Sequence, residues 1–183
     1  MKISKINKEF LDLYYKKKLI AYEVYEDKVY LTDGYRLFVM NVDECILDLS
    51  KFKNFPLVKL CNDFGYQDGI ITNTLYKDKY NMRLITSKDN LLNIKVNDKY
   101  LELFDDPEVK VIADNKPVLI YEKGELVGLI VPIKLWLVIK DCDTKRVWTK
   151  YFENELEMNN YKNKIRFVKN LLLIEDSRDI EWS

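Results

Sequence analysis

The sequence predicts an α+β fold in two parts: a sheet-rich region over residues 1–135 and a small extension over residues 136–183. Three observations predict it. The chain opens on a helical apolar spacing interleaved with lysine. Alternating apolar stretches punctuated by tight-turn residues follow. After Leu135 the pattern changes.

The first element places Ile3, Ile6, Phe10, Leu13 and Tyr14 at helical spacing. This predicts a helix from about Ser4 to Lys17, with Ser4 as N-cap. "IAYEVYEDKVYLTDGYRLFVMNV" then alternates as strands and breaks twice, at Glu26-Asp27 and Asp33-Gly34. The expectation is a three-strand meander, Ile20–Tyr25, Lys28–Thr32 and Tyr35–Asn41. Gly34 supplies the positive φ that the tight turn needs.

"DECILDLSKF" and "FPLVKLCNDFGYQDG" predict short connections ended by Gly65 and Gly69. "GIITNTLY" and "YNMRLITS" predict a hairpin across "KDK". "NDKYLELF" sets Tyr100, Leu101 and Phe104 on one side of a short helix closed by Asp105-Asp106-Pro107. Strands are expected at Val109–Asp114, Pro117–Glu122 and Glu125–Val131, the last two joined at Lys123-Gly124. Beyond Leu135, "LWLVIKDCDTKRVWTKYF" predicts a hairpin over Cys142–Lys145. Met158, Tyr161, Ile165, Val168 and Leu172 fit one helix, although "KIRFV" and "NLLLI" also fit two short strands. The tail "SRDIEWS" is expected to be peripheral.

Composition excludes several functions. Thirty basic residues balance thirty acidic ones. That argues against a wholly basic nucleic-acid binder and against a wholly acidic DNA mimic. There is no histidine, so Ser–His and Cys–His nucleophile systems are excluded, and the commonest metal ligand is missing. No phosphate-binding glycine loop occurs. Cys45, Cys61 and Cys142 form no metal-ligand spacing and suit a reducing compartment. No catalysis, cofactor or metal is expected. Asp141-x-Asp143 and Asp105-Asp106 are oxygen-ligand candidates, but all four sit where turns are predicted and Asp is a turn residue. The lysine-rich start does not read as a secretory leader, and "LVGLIVPIKLWLVI" is too short and interrupted to span a bilayer. A cytoplasmic protein is expected, without a membrane partner. Thirteen tyrosines suit a contact surface, since Tyr joins an apolar ring to a polar tip.

Three segments carry a resemblance in order. "KVYLTDGYRLFVM" contains Thr32, Asp33, Gly34, Arg36 and Leu37. "VNDKYLELF" contains Asn97, Lys99, Tyr100 and Leu101. "KPVLIYEKGELVGLIVPIKL" contains Pro117, Pro132 and Leu135. Over residues 1–135 the chain resembles the bacterial DNA polymerase sliding clamps, which carry TDG-His-RL, an Asn-x-Lys-Tyr-Leu helix start and a closing Pro-x-Arg-Leu. Tyr35 stands where the family has His, and Lys134 where it has Arg. The resemblance implies a sliding-clamp-like domain, two helices on an antiparallel sheet. The remainder is expected to be a small C-terminal β-hairpin and helix packed on it.

In clamps the two terminal motifs line a hydrophobic groove for partner peptides. The resemblance therefore implies a partner-binding role for Thr32, Tyr35, Leu37, Leu129, Pro132, Ile133 and Leu135. In clamps these segments come from adjacent domains, so a head-to-tail pair of molecules is expected to be needed here, with Trp136 onward covering the groove. Trp136 and Trp148 read either as a further partner face or as the core of the small lobe. Clamps also contact phosphates through basic helices. The counterparts are Lys2, Lys5, Lys8, Lys16, Lys17 and Lys18, against Glu9 and Asp12, a pattern that equally suits a solvated helix face.

Two functional expectations follow. The first is a non-enzymatic interaction protein, phage- or mobile-element-encoded and acting in a bacterial host's cytoplasm. It would dock on and block a nucleic-acid-processing complex, with weak non-specific DNA contact. By general character alone this is similar to anti-CRISPR inhibitors of effector nucleases. The second is a self-associating, clamp-like processivity factor that binds DNA and recruits replication proteins.

Overall fold

The structure, a computed structural model, describes residues 1–77, 81–133, 135–152 and 155–176. The turn expected at "KDK", Lys134 and the tail from residue 177 lie outside the described residues. The chain divides into two units, Met1–Ile133 and Lys134–Ser183.

In the first unit α1 (Ile3–Tyr15) buries Ile6, Phe10 and Leu13 and leaves Lys5, Lys8 and Asp12 exposed. Its start corrects the expected cap. Ser4 lies inside the helix, and Lys2 precedes it without a side-chain cap. The Lys2 N–H instead donates to the Leu103 carbonyl at 2.8 Å, so a tertiary bond satisfies one terminal donor.

The meander forms as β1 (Ala21–Tyr25), β2 (Lys28–Thr32) and β3 (Arg36–Asn41). Tyr25 faces Lys28 across Glu26-Asp27, and Thr32 faces Leu37. Gly34 has φ 92°, which an L side chain adopts only at a cost. The connection runs through β4 (Lys53–Asn54), which pairs parallel with β1, and a 3-10 turn at Val58–Cys61. Then come β5 (Gln67–Lys77), β6 (Asn81–Ser87) and β7 (Asn93–Asn97), followed by the one-turn α2 (Asp98–Leu101). β7 has no counterpart among the expected strands. "NIKVN" alternates over only five residues, yet it buries Ile94 and Val96 and pairs antiparallel with β6. The unit closes with β8 (Glu108–Val111), β9 (Val118–Glu122) and β10 (Glu125–Ile130). At Lys123-Gly124 both residues have positive φ, the backbone of a tight two-residue hairpin turn.

These ten strands form one sheet in the order β4-β1-β2-β3-β10-β9-β8-β5-β6-β7, antiparallel except at β1–β4. The sheet turns a corner at Gly69. Before it, Gln67 and Asp68 pair with β8; from Gly69 onward β5 pairs with β6. A Cβ at Gly69 would sit 3.1 Å from Val109 and 3.2 Å from the Thr86 carbonyl.

The sheet has two covered faces. One packs against α1 and the α2 segment, where Phe10 meets Phe38 edge-on at 6.0 Å and Phe38 meets Phe104 at 5.7 Å. Buried aromatics of this size dominate core energetics. On the other face Leu37, Val39, Leu119 and Leu129 pack with Leu57.

The second unit is a three-stranded antiparallel sheet ordered β12-β11-β13 with one helix. Its elements are β11 (Leu135–Asp141), β12 (Val147–Phe152), α3 (Glu155–Arg166) and β13 (Leu171–Asp176). Leu137, Ile139, Met158 and Ile165 make its core. The single-helix expectation is corrected beyond Arg166. Val168 follows the helix, and Leu172 lies in β13, 53% exposed. In a strand neighbours point to opposite faces, so Leu171 and Leu173 join the core while Leu172 does not. Among the described residues no helix is long and apolar enough to cross a membrane.

Gly128 is the most tightly enclosed glycine of the larger sheet. A Cβ there would stand 2.4 Å from the Leu37 carbonyl oxygen and 3.3 Å from the Phe104 ring. Backbone cannot yield as a side chain can. Gly128→Ala is expected to lower stability by ~2–3 kcal/mol, whereas Gly34→Ala, with no neighbour within 4 Å, should lose ~1 kcal/mol from backbone strain alone. Urea denaturation of both variants checks the order.

Candidate functional site

The Thr-Asp-Gly-Tyr-Arg stretch folds onto itself. The Thr32 hydroxyl accepts from the Gly34 N–H at 3.0 Å and donates to the Arg36 carbonyl at 2.7 Å. One Asp33 carboxylate oxygen accepts from the N–H groups of Tyr35 and Arg36, and the other accepts from Arg36 Nε at 3.0 Å. Arg36 is 6% exposed, and its Nη1 reaches Glu9 on α1 at 2.6 Å. The guanidinium also lies 4.5 Å from the Tyr100 ring centroid and within 6 Å of Phe10 and Phe38. The motif thus ties turn, strand and both helical segments together through a charge that would be costly to leave unpaired. Burial, with the Asp33 charge next, pushes the Tyr100 hydroxyl up to about 12.

The two segments that resemble the clamp groove meet within one copy of the chain. Leu129 faces Leu37 across β3 and β10, and the Val131 N–H donates to the Tyr35 carbonyl at 2.8 Å. This corrects the expectation that two molecules are needed to join them. It also removes two candidate contacts, because Leu37 is 1% and Leu129 4% exposed, packed with Leu57. Thr32 and Tyr35 are half-buried at the turn. Pro132 and Ile133 are half-buried, and the Ile133 N–H donates to the Lys95 carbonyl at 2.8 Å. In the second unit Leu135 and Trp136 lie in β11 opposite Phe152 and Tyr151, and Trp148 of β12 faces Ile139 and is 36% exposed.

The cover over Leu37 and Leu129 comes from residues 55–66, a stretch whose sequence predicts only a connection. Glu23 on β1 accepts from the N–H groups of Leu57 and Val58. Asp63 accepts from Lys110 Nζ and from the Tyr121 hydroxyl, each at 3.1 Å, and Lys110 stands 4.5 Å over the Tyr121 ring. These partners hold the Asp63 carboxyl below its ordinary range. Held at both ends, the segment buries Leu57 and leaves Leu60 half-exposed and Phe64 87% exposed. The Phe64 N–H donates to Asn62 Oδ1 at 2.9 Å, Gly65 takes φ 81°, and Ile112 lies just beyond it. Asn-Asp before Phe-Gly was the available signal, since Asx residues and Gly together specify a tight turn with an aromatic at its tip. Beside it a groove of about 500 Å³ has Lys110 and Tyr121 on its wall, with the Asp68–Lys88 ion pair at 2.6 Å.

Of the candidate basic residues, Lys2 Nζ donates to the Glu102 carbonyl at 2.6 Å. Lys5 and Lys8 point outward from α1, and Lys16, Lys17 and Lys18 are exposed at its end. Of the oxygen-ligand candidates, Asp141 accepts from the N–H groups of Asp143 and Thr144 and so closes its own turn. The Asp105 N–H donates to Glu122 at 2.7 Å. Among the described residues no three His, Cys, Asp or Glu gather as metal ligands. Burial, with Glu23 nearby, pushes the Cys61 thiol up to about 11, which leaves little thiolate for nucleophilic chemistry near neutrality.

No protein family, no curated protein and no solved structure matches this chain.

Two tests follow from these groups. Replacing Arg36 by Ala strands Asp33 and Glu9, and should cost ~3 kcal/mol or more. Arg36→Lys should recover little of it, because one ammonium cannot span both carboxylates and lie over a ring. Alkaline pH probes the raised groups. The unfolded chain loses the Cys61 and Tyr100 protons first, so stability is fully present below their ordinary values and falls as pH rises from ~9 to ~12. Cys61→Ala should lessen the earlier part of that fall in a pH series of chemical denaturation, since burial also raises the Cys45 thiol.

Proposed function

We propose that the chain is a non-catalytic docking protein that binds and blocks a nucleic-acid-processing complex. The observation that carries this reading is Phe64, an aromatic 87% exposed on a segment anchored by Glu23 and Asp63. Exposed aromatics with their backbone already fixed lose little entropy on binding and are the usual anchors of an interface. Leu60 on the same segment is half-exposed, Ile112 lies beside Gly65, and the neighbouring groove offers a partner a second hold. The clamp-like motifs support the nucleic-acid setting by resemblance, and so do Lys5 and Lys8 on the outer face of α1.

A CRISPR effector nuclease or a replication protein in a bacterial cytoplasm fits this role. Against a guide-directed nuclease the physical choices are to cover the duplex channel, to cover the PAM-reading site, or to hold the nuclease domain undocked. Zero net charge favours steric or conformational blockage over mimicry of DNA. The processivity reading keeps one supporting observation, the outward lysines of α1, and requires a ring-sized oligomer.

The test is titration of the chain into guide-loaded effector nucleases and replication complexes, with binding and cleavage both read. The expected result is inhibition by one of them, with Phe64→Ala weakening binding at least ~10-fold while its thermal unfolding stays unchanged. A ring-sized mass by light scattering, together with an inert Phe64→Ala, would reject docking and support processivity.

A further inference from the structure

A sheet edge is a row of backbone groups without partners, and folded chains blunt such edges by shortening, bulging or covering them. The first unit does so at each edge. β4, at one end of its sheet, is two residues long. At the other end the Lys95 carbonyl of β7 is taken by the Ile133 N–H at 2.8 Å, and Asn97 caps α2. β5, which leaves β8 after Asp68, is bulged between Ile71 and Leu75. In the second unit β13 carries a bulge between Leu173 and Glu175. β12 is different. Its ladder with β11 runs unbroken from Val147 opposite Lys140 to Phe152 opposite Leu135. Among the described residues no strand pairs with its other side. "VWTKYF" has no Gly or Pro and consists mostly of strand formers.

The turn before β12 shows which of its groups lie open. The Asp141 N–H donates to the Arg146 carbonyl at 2.9 Å, so these two residues point at each other. Along an antiparallel ladder the direction alternates. Trp148, Lys150 and Phe152 therefore bond β11, and the N–H and C=O groups of Val147, Thr149 and Tyr151 point away from it. The other side of β11 agrees: the Cys142 N–H, one residue out of step, donates to the Asn170 carbonyl just before β13 at 2.7 Å. Trp148 and Lys150 stand opposite Ile139 and Leu137, on the side that α3 covers. Lys150 Nζ lies 4.7 Å from the Tyr161 ring centroid and 5.9 Å from that of Phe152, and Trp148 is 36% exposed. The turn adds exposed Lys145 and Arg146. Its acidic residues are Asp143, which is exposed, and Asp141, which accepts from two N–H groups of the turn itself.

We propose that β12 receives an extended segment of a partner protein as an added strand, with an acidic residue opposite Lys150 and apolar residues opposite Trp148 and Phe152. A row of open backbone groups is matched by another backbone, and the alternate side chains then supply selectivity. Opposite charges directly across a strand pair are favourable and like charges are not. A second copy pairing two-fold along β12 would bring its own Lys150 to or near this one, so a segment from a different protein fits better. The inference concerns the second unit alone and does not rest on Phe64.

Selection of displayed random peptides of ~10 residues against the full chain, followed by fluorescence anisotropy with the best free peptide, tests it. The enriched peptides should carry Asp or Glu near the centre with apolar residues two positions to either side. N-methylation at alternate peptide residues should weaken binding at least ~10-fold in one phase and little in the other. Thr149→Pro removes an outward N–H and leaves the β11 ladder whole, so the melting temperature should change little while binding falls ~10-fold or more. Lys150→Glu should reverse the preference: the peptide remade with Lys in the acidic position should bind this variant ~5-fold better than the original does. Phe64→Ala should leave peptide affinity unchanged. The proposal is overturned by a selection without enrichment, by even tolerance of N-methylation, or by Lys150→Glu with an unchanged preference. A doubled mass in light scattering that Thr149→Pro abolishes would also overturn it, assigning β12 to a second copy of the chain.

Discussion

The larger unit depends on one buried cation. Arg36 begins β3, and its guanidinium meets carboxylates from the turn before it and from α1, with the Tyr100 ring across its face. A guanidinium can do this because it is planar, always charged and donates in several directions. The angle of α1 on the sheet, the close of the β2–β3 turn and the seat of α2 are thus set at one residue. Its partners are not interchangeable. Asp33 is nearly buried and local, whereas Glu9 is 32% exposed and arrives from 27 residues away. The Asp33 contact organises the turn, and the Glu9 contact specifies which helix face docks.

That arrangement solves only one side of the sheet. β3, β9 and β10 also present Leu37, Leu119 and Leu129 on the opposite face, and an apolar sheet face left in water invites association. The chain covers it with a segment that has almost no regular structure, so side chains must hold the segment in place. Glu23 takes two of its N–H groups, and Asp63 is taken by Lys110 and Tyr121. The lid has little width, and its own apolar residues cannot all face inward. Leu57 goes down; Leu60 and Phe64 do not. The exposed aromatic follows from covering a broad face with a narrow lid.

Much of this fold was legible, and the reasons differ by element. α1 and the meander announce themselves through long periodic patterns and two turn signals. β7 did not, because five residues give too short an alternation to separate from a loop, and its strand character comes from pairing with β6. The end of α3 was ambiguous for a related reason: Leu171 to Ile174 satisfy both a helical and a strand period, and pairing with β11 decided it. At the candidate site the motif was visible but its meaning was not. Thr32 and Leu37 looked like groove-lining residues, yet the Thr32 hydroxyl is spent on the turn, Leu37 is buried, and Asp33 and Arg36 of the same motif bond each other and Glu9. Residues 55–66 were illegible as a lid, since nothing local says which face of which sheet a connection will cover.

The burial pattern also limits where the first unit can act. α1 and α2 close one sheet face, and residues 55–66 close the opposite face over β3, β9 and β10, so the surfaces buried there cannot meet a partner without unfolding. The outer sides of the two coverings differ in chemistry. The lid carries aromatic and aliphatic tips beside paired charges. The end of α1 carries Lys16, Lys17 and Lys18, all exposed. An apolar tip on a fixed backbone selects a shaped protein pocket, because its binding depends on close packing. A loose set of exposed lysines selects no particular shape, because charge alone tolerates many geometries.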